Sequence, residues 1–587
     1  MDAGAKHHII VSSSIHHLRR QSLIEIALIF AVFFIQGAWP VPEVNESYYL
    51  GKAIHYWNPG WLEGDFFLES ADAHEVFYFT FGWLSLWLPP VALAWTGRTI
   101  CWLLLAWGWR RLSFAVVPRP WWSVLTAALF VCLMEWWHMA GEWVVGGVEA
   151  KPFAYALVFF GLEAVLRNRW NRGLLLMGAA AAFHPLVGGW SAVAAGIAWL
   201  RLRTIDTRPR PAVAPRMADA GRGFMETPSL RALWPGILGG LLLSLPGLIP
   251  ALALDWGVDQ QTAREAHQLY VFERLPHHLF LPGIYPALIL RMALLCCFWL
   301  LLGIWRNRLS MSEDFRRTFD VLRAFVAGAV AIALAGAAIH LLIPLDPGLA
   351  AGLLRYYWFR LIDVALPLGV ALEGAALIVG ALAEKKGTDP ICAKHPPGRS
   401  GKWGPSPFFR PTAGRCWLAF AIVVAAFHLG DRAVDRIAPA PPRSHKMAEF
   451  KEWKNRRADF DDWCAACDWI ARSGEIPPDA LFLTPRLSQT FRWYAGRSEV
   501  VAWKDVPQAA PDIVQWWGRL QDVYGTGFPL RSQRWYGPLA AAGAEHLERL
   551  GAKYRAGYAI TDRTEPPLDL DVVYCNRTYV IYRLGGK

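Results

Sequence analysis

Charge is scarce in this 587-residue chain: Asp, Glu, Lys and Arg make up 18% of it, against 54% hydrophobic and 14% aromatic residues. With a mean hydropathy of +0.24, that composition is high for a cytosolic enzyme and points to a polytopic membrane protein. Cysteine is also sparse. There are nine, and Cys101, Cys132, Cys296, Cys297 and Cys416 lie inside apolar runs, which excludes a dense disulfide framework and leaves the redox compartment undecided. No internal repeat of fixed period occurs. No small-x-small cleavage site follows the first apolar run, LIEIALIFAVFFIQGAW, which exits through Trp39-Pro40-Val41-Pro42. That run reads as an uncleaved first span with the N-terminus inside, behind His16, His17, Arg19 and Arg20.

The excess of 59 basic over 48 acidic residues sits in short clusters between apolar runs, not in one stripe. That is the pattern of cytoplasmic loops and excludes a nucleic-acid partner. A helix needs about 20 apolar residues to cross the hydrocarbon core. Applied together, the two rules put spans at 23–40, 91–109 (ending in Arg110-Arg111), 122–138, 152–166 (ending in RNRWNR), 173–186, 188–200, 234–252, 284–304, 321–343, 358–381 and 416–430. Basic loops follow at 201–232 and 384–415. The segment 75–90 is short and ends in a Pro pair, so it is expected to lie in the outer interface as an amphipathic or re-entrant helix.

About eleven crossings make an odd number, which puts residues 431–587 outside. After the linker-like APAPPRSHK, that region shows one helical stretch and then short β-branched runs, ALFLTP, EVVAWK, YAITDR, VVYCN and TYVIYRL, with helical stretches at 508–523 and 538–551. The expected fold is a polytopic α-helical membrane domain over 1–430, with an acidic first outer loop at 41–90, and an extracytoplasmic α/β domain over 431–587.

The outer loop carries Glu43, Glu46, Glu63, Asp65 and Glu69 directly after the first span, then Asp72 and His74. Glu43 and Glu46 fit the first turn of a helix behind Pro42, but a membrane-surface loop has no need of so many acids beside anionic headgroups.

In this layout the sequence resembles polytopic glycosyltransferases of the GT-C type, the group of protein O-mannosyltransferases, aminoarabinose transferases and oligosaccharyltransferase catalytic subunits. Asn45-Glu46-Ser47-Tyr48-Tyr49, Ala53 and Gly64-Asp65 match the first-loop pattern of many bacterial members, except that Asn45 stands where an Asp is usual. The resemblance implies sugar transfer from a polyprenyl-phosphate donor to a glycan or protein acceptor at the outer face of the cytoplasmic membrane, the polyprenyl tail staying among the membrane lipids. The catalytic acid moves to Glu46, with Glu43 and Asp65 behind it. It further implies a second acidic loop, HMAGEWVVGGVEAKPFAY, whose Glu142 and Glu149 would join Glu46 at a divalent ion, Mg²⁺ or Mn²⁺; relatives that use no metal leave this open. A plainer account of Glu149 is an ion pair with Lys151 or a helix start before Pro152.

A phosphate needs cations, and Arg is suited to it. Arg264, Arg274, His277, His278, Arg355 and Arg360 stand at outer ends of later spans, against the positive-inside trend. In the tail, TPRLSQTFRWYAGR combines Arg486, Gln489, Arg492, Trp493 and Tyr494 after an expected strand and is the expected acceptor loop. Cys464-x-x-Cys467 falls on an expected helix without a second pair, so it reads as coincidence of a helix face. The competing functions are a transporter or flippase and a non-catalytic scaffold.

Overall fold

A computed structural model describes residues 3–206, 226–307, 313–383, 411–437, 441–447, 451–525 and 538–585. Much of the two expected basic loops at 201–232 and 384–415 lies outside the described residues.

Each stretch expected to cross is a helix: α1 (Ala3–Gly37), α5 (Pro90–Val116), α6 (Trp122–Trp137), α7 (Ala150–Leu166), α8 (Trp170–Phe183), α9 (Pro185–Asp206), α10 (Leu230–Ala253), α13 (Pro286–Arg306), α14 (Glu313–Ile339), α16 (Arg360–Ala383) and α17 (Pro411–Ile437). Between them lie α2 (Glu46–Trp57), α3 (Phe66–Glu69), α4 (Glu75–Gly82), α11 (Gln260–Gln268), α12 (Pro276–Leu279) and α15 (Pro347–Leu354). Among the described residues, eight helices are long and apolar enough to cross a bilayer: α1, α5, α9, α10, α13, α14, α16 and α17. The shorter α6, α7 and α8 hold 16, 17 and 14 residues. The chain is a polytopic helical membrane protein. Segment 75–90 is an eight-residue helix running into a short 3₁₀ turn, with Phe79, Trp83 and Trp87 exposed.

The boundaries follow local chemistry. Pro occupies the first turn of α5 and α13, where its missing N–H costs nothing, and Ser229 caps α10 by accepting from the Ala232 amide. α10, α13 and α17 keep large apolar side chains such as Leu242, Leu300 and Phe427 exposed, which suits lipid, whereas α16 is buried along almost its whole length. α8 and α10 touch backbone to backbone: a Cβ on Gly178 would come within 2.1 Å of the Gly240 carbonyl oxygen.

The two ends of the bundle differ. One carries Arg110, Arg111 and Arg167, with Glu25 accepting from Arg110 at 3.2 Å and Glu163 from Arg111 at 3.0 Å. The other gathers the C-terminal end of α1, α2, the start of α7 and α16, and the C-terminal region.

That region holds α18 (Trp453–Arg472), α19 (Phe491–Ala495), α20 (Ala510–Tyr524) and α21 (Ala544–Tyr554) around a sheet of β1 (Leu481–Leu483), β2 (Ser498–Glu499), β3 (Tyr558–Asp562), β4 (Val572–Cys575) and β5 (Tyr579–Arg583). The strand order is β2-β1-β3-β5-β4, parallel from β2 to β3 and antiparallel beyond. Trp463, Phe491 and Ile581 pack on one face, Ile513, Trp516 and Leu547 on the other, so β3 and β5 are apolar on both sides. EVVAWK departs from expectation: only Ser498–Glu499 joins the ladder, and the chain then turns toward the bundle.

Candidate functional site at the bundle end

α2 starts at Glu46, whose carboxylate is 1% exposed and fully engaged. Arg98 of α5 donates to both its oxygens at 2.7 Å, the Val148 amide to Oε1 at 2.8 Å and the Glu43 amide to Oε2 at 2.7 Å. Gly147 permits this closeness, since a Cβ there would lie 2.8 Å from Glu46 Cγ. A carboxylate whose oxygens accept from a bidentate guanidinium and two amides has little acceptor capacity left for a substrate. Glu46 therefore organises the loop.

Glu43, three residues earlier, is in the opposite condition. It is buried, its Oε2 has no hydrogen-bond partner among the described residues, and burial, with Glu46 beside it, raises its pKa above the usual carboxylate range. It lines a cavity of about 200 Å³ together with Trp39, Glu135, His138, Glu142 and Arg443. Arg443 lies over the Trp39 ring at 3.4 Å and 3.7 Å from Glu135.

The second acidic loop is fastened to α16. Asp363 accepts from the Met139, Ala140 and Glu142 amides at 2.8, 2.9 and 3.1 Å. Lys151 stands between Glu142 (3.6 Å) and Glu149 (3.0 Å) and over the Trp143 ring, and Asn45 donates to Glu149 at 3.0 Å. The ion pair between Glu149 and Lys151 is the plainer account foreseen for that acid. Glu46, Glu142 and Glu149 are thus brought to one end of the bundle, yet each faces a cation. Among the described residues no group of three or more His, Cys, Asp or Glu is placed to hold a metal ion.

The expected phosphate cations divide. Arg360 lies 3.2 Å from Glu142 and over the Tyr357 ring at 3.5 Å, and His278 Nδ1 donates to the Ala140 carbonyl at 2.6 Å, so both border the acidic loop. Arg274 donates to the carbonyls of Trp503 (2.9 Å) and Lys504 (3.3 Å), with His277 near it. Arg355 is taken by Asp255 and His267, and Arg264 by Asp346 at 3.4 Å.

The loop that carries Arg486, Gln489, Trp493 and Tyr494 docks on the segment that carries Glu43. Gln489 donates to the Ser444 carbonyl at 2.5 Å, Ser444 Oγ to the Pro42 carbonyl at 2.6 Å, and Tyr494 to the Val41 carbonyl at 3.5 Å. Trp493 packs against the bundle core, and Arg486 lies 5.3 Å from the Trp503 ring centroid. Asp65 is further off: it caps α3 through the Phe67 and Leu68 amides and accepts from Arg492 at 2.7 Å.

Sequence reasoning missed Arg98, Asp363 and Lys504, and placed Arg492 in the expected acceptor loop without foreseeing its pairing with Asp65. Arg98 and Asp363 carried a usable signal, a lone charge inside an apolar run. Lys504 had none, because its meaning depends on what it meets.

No curated protein matches the chain. A family model described as a domain of unknown function, DUF6798, matches residues 461–523, the part of the C-terminal region that runs from within α18 into α20 and carries Arg486, Arg492 and Lys504.

Proposed function

We propose that this protein is a membrane glycosyltransferase of the GT-C type, moving a sugar from a polyprenyl-phosphate carrier to a glycan or protein acceptor at the outer face of the cytoplasmic membrane. The observation that carries the reading is Glu43: a buried carboxylate with a partnerless oxygen on a cavity, beside the loop expected to meet the acceptor. Transfer to a hydroxyl requires a base on the acceptor and charge relief on the departing phosphate. In this reading Glu43 takes the acceptor proton as the acceptor oxygen bonds to the anomeric carbon from the face opposite the phosphate. The bond from that carbon to the phosphate oxygen breaks, and its electrons leave with the polyprenyl phosphate.

Orientation is supported by the clustering of Arg110, Arg111 and Arg167 at the end away from Glu43, which the positive-inside rule assigns to the cytoplasm. Counting α6, α7 and α8 as spans gives eleven crossings (the eight long helices plus three), an odd number that agrees with a first loop and a C-terminal region on one side.

The test is a mass-spectrometric comparison of surface glycans and glycoproteins from cells with the protein, without it, and with Glu43→Gln. A profile altered by loss of the protein, and equally by a Glu43→Gln variant that inserts normally, is expected; an unchanged profile overturns the reading. A transporter draws on one observation, the ion pair between Arg323 and Glu373 inside α14 and α16, and predicts substrate movement into vesicles that survives Glu43→Gln.

A further inference from the structure

Most of the cations expected at the donor phosphate are committed elsewhere. Arg274 gives its guanidinium N–H groups to two backbone carbonyls, Arg355 is paired with Asp255, and Arg360 faces Glu142. His277 is pushed down to about 4 by burial, with Arg274 adding to it, so it is neutral at physiological pH.

Lys504 differs from all of these. It stands on the turn where the chain leaves β2 for the bundle, half-buried, directly on the backbone that Arg274 grips. Arg274 and Arg486 each lie 5.3 Å from the ring centroid of the preceding Trp503. Among the described residues the Lys504 ammonium makes no hydrogen bond or ion pair, although Glu149 and Glu43 are near enough to act on its charge. Burial and Arg274 push it down to about 8, which leaves it mostly protonated at neutral pH. A partly desolvated ammonium without a partner, beside the proposed base and next to the Arg274 cation, offers positive charge to an anion.

We propose that Lys504 binds the phosphate of the ligand at this site, so that the C-terminal region completes a centre otherwise built by the bundle, with Arg274 as the residue that positions it. The inference deepens the transferase reading and rests on it for the identity of the phosphate, a polyprenyl phosphate; a soluble phosphate would offer Lys504 the same chemistry.

The test uses full-length protein in detergent, titrated with polyprenyl phosphate, with polyprenol lacking the phosphate, and with inorganic phosphate. Losing one charge-assisted contact should weaken polyprenyl phosphate binding by roughly ten- to a hundredfold in Lys504→Met, with Lys504→Arg close to wild type. Wild-type binding should fall as pH rises through about 8, a limb that Lys504→Arg removes and that Arg274→Gln, which deletes the neighbouring cation, moves to higher pH. Preference for polyprenyl phosphate over the other two probes supports a lipid source, and equal Lys504-dependent binding of inorganic phosphate supports a soluble one. Lys504→Met that keeps the wild-type thermal transition and binds like wild type overturns the proposal, as does a pH limb that persists in Lys504→Arg. Lys504-dependent binding without sugar transfer keeps this inference and removes the transferase reading; transfer indifferent to Lys504→Met does the reverse.

Discussion

Arg492 Nε donates to Asp65 Oδ2 at 2.7 Å, joining the first loop to the C-terminal region across 427 residues of chain. The same guanidinium reaches Asp505 at 2.5 Å and Glu499 at 3.0 Å, and all four side chains are buried. Asp505 adjoins Lys504, so the contact that fixes the first loop also fixes the turn facing Glu43 and Glu149. Around it, Gln508 donates to Asp72 at 3.0 Å, and Asp72 holds His74 Nδ1 at 2.7 Å. Asp65 and Asp72 therefore dock the first loop on the C-terminal region, which accounts for two of the acids that follow α2.

Replacing Arg492 by Met leaves three buried carboxylates without their cation. Breaking a buried pair from one side costs roughly 3–5 kcal/mol. Thermal unfolding in detergent should drop accordingly, and limited proteolysis should cut near the linker 438–446 sooner than in wild type. Asp65→Asn should cost less, because Glu499 and Asp505 remain on Arg492.

Glu46 and Arg98 give a second, sharper contrast. Glu46→Gln and Arg98→Met each strand a buried partner and should each lose roughly 3–5 kcal/mol, whereas the double change to Met at both positions should recover much of that loss. Glu43→Gln should leave stability near wild type. A double-mutant cycle on unfolding temperature, run beside the transfer assay, should separate the two acids, with Glu46→Gln lowering the unfolding temperature and Glu43→Gln abolishing transfer without lowering it.

The helices of the bundle were legible because apolar length is a local property: all eleven stretches are helices, and eight of them are long and apolar enough to cross a bilayer. The site was legible only where a partner lies close in sequence, as with Glu149 and Lys151. Glu46 matched the expected motif, but its partner is 52 positions away on α5, and nothing in the motif distinguishes a base from a buried ion pair. EVVAWK had strand composition, yet after Glu499 the turn is drawn off the sheet by Arg274, a tertiary contact that overrides β-propensity.

The pH dependence of Glu43 has a definite sign. Its folded pKa is raised, so the folded state binds the proton more tightly than the unfolded chain does. Stability from this group is present below its ordinary pKa and is lost as pH rises through the raised one. Activity runs the other way, since a base must be ionised. The acid limb of the transfer rate should lie above the ordinary carboxylate range. Glu43→Asp should move that limb, and Glu43→Gln should abolish the rate on both sides of it.

Glu499 offers the same linkage without catalysis. Burial pushes its carboxyl up to about 7 against the pull of Arg492, while Thr484 and Ser488 donate to its Oε2 at 2.6 and 2.8 Å. Between the ordinary pKa of 4.5 and about 7 the folded state holds a proton that the unfolded chain releases. Stability should therefore decline as pH rises through that window. Glu499→Gln keeps the shape and donors but cannot ionise, so its unfolding temperature should decline less between pH 5 and pH 8 in the same buffers. If the two proteins trace parallel curves, Glu499 is ionised throughout and Arg492 carries all three carboxylates as anions.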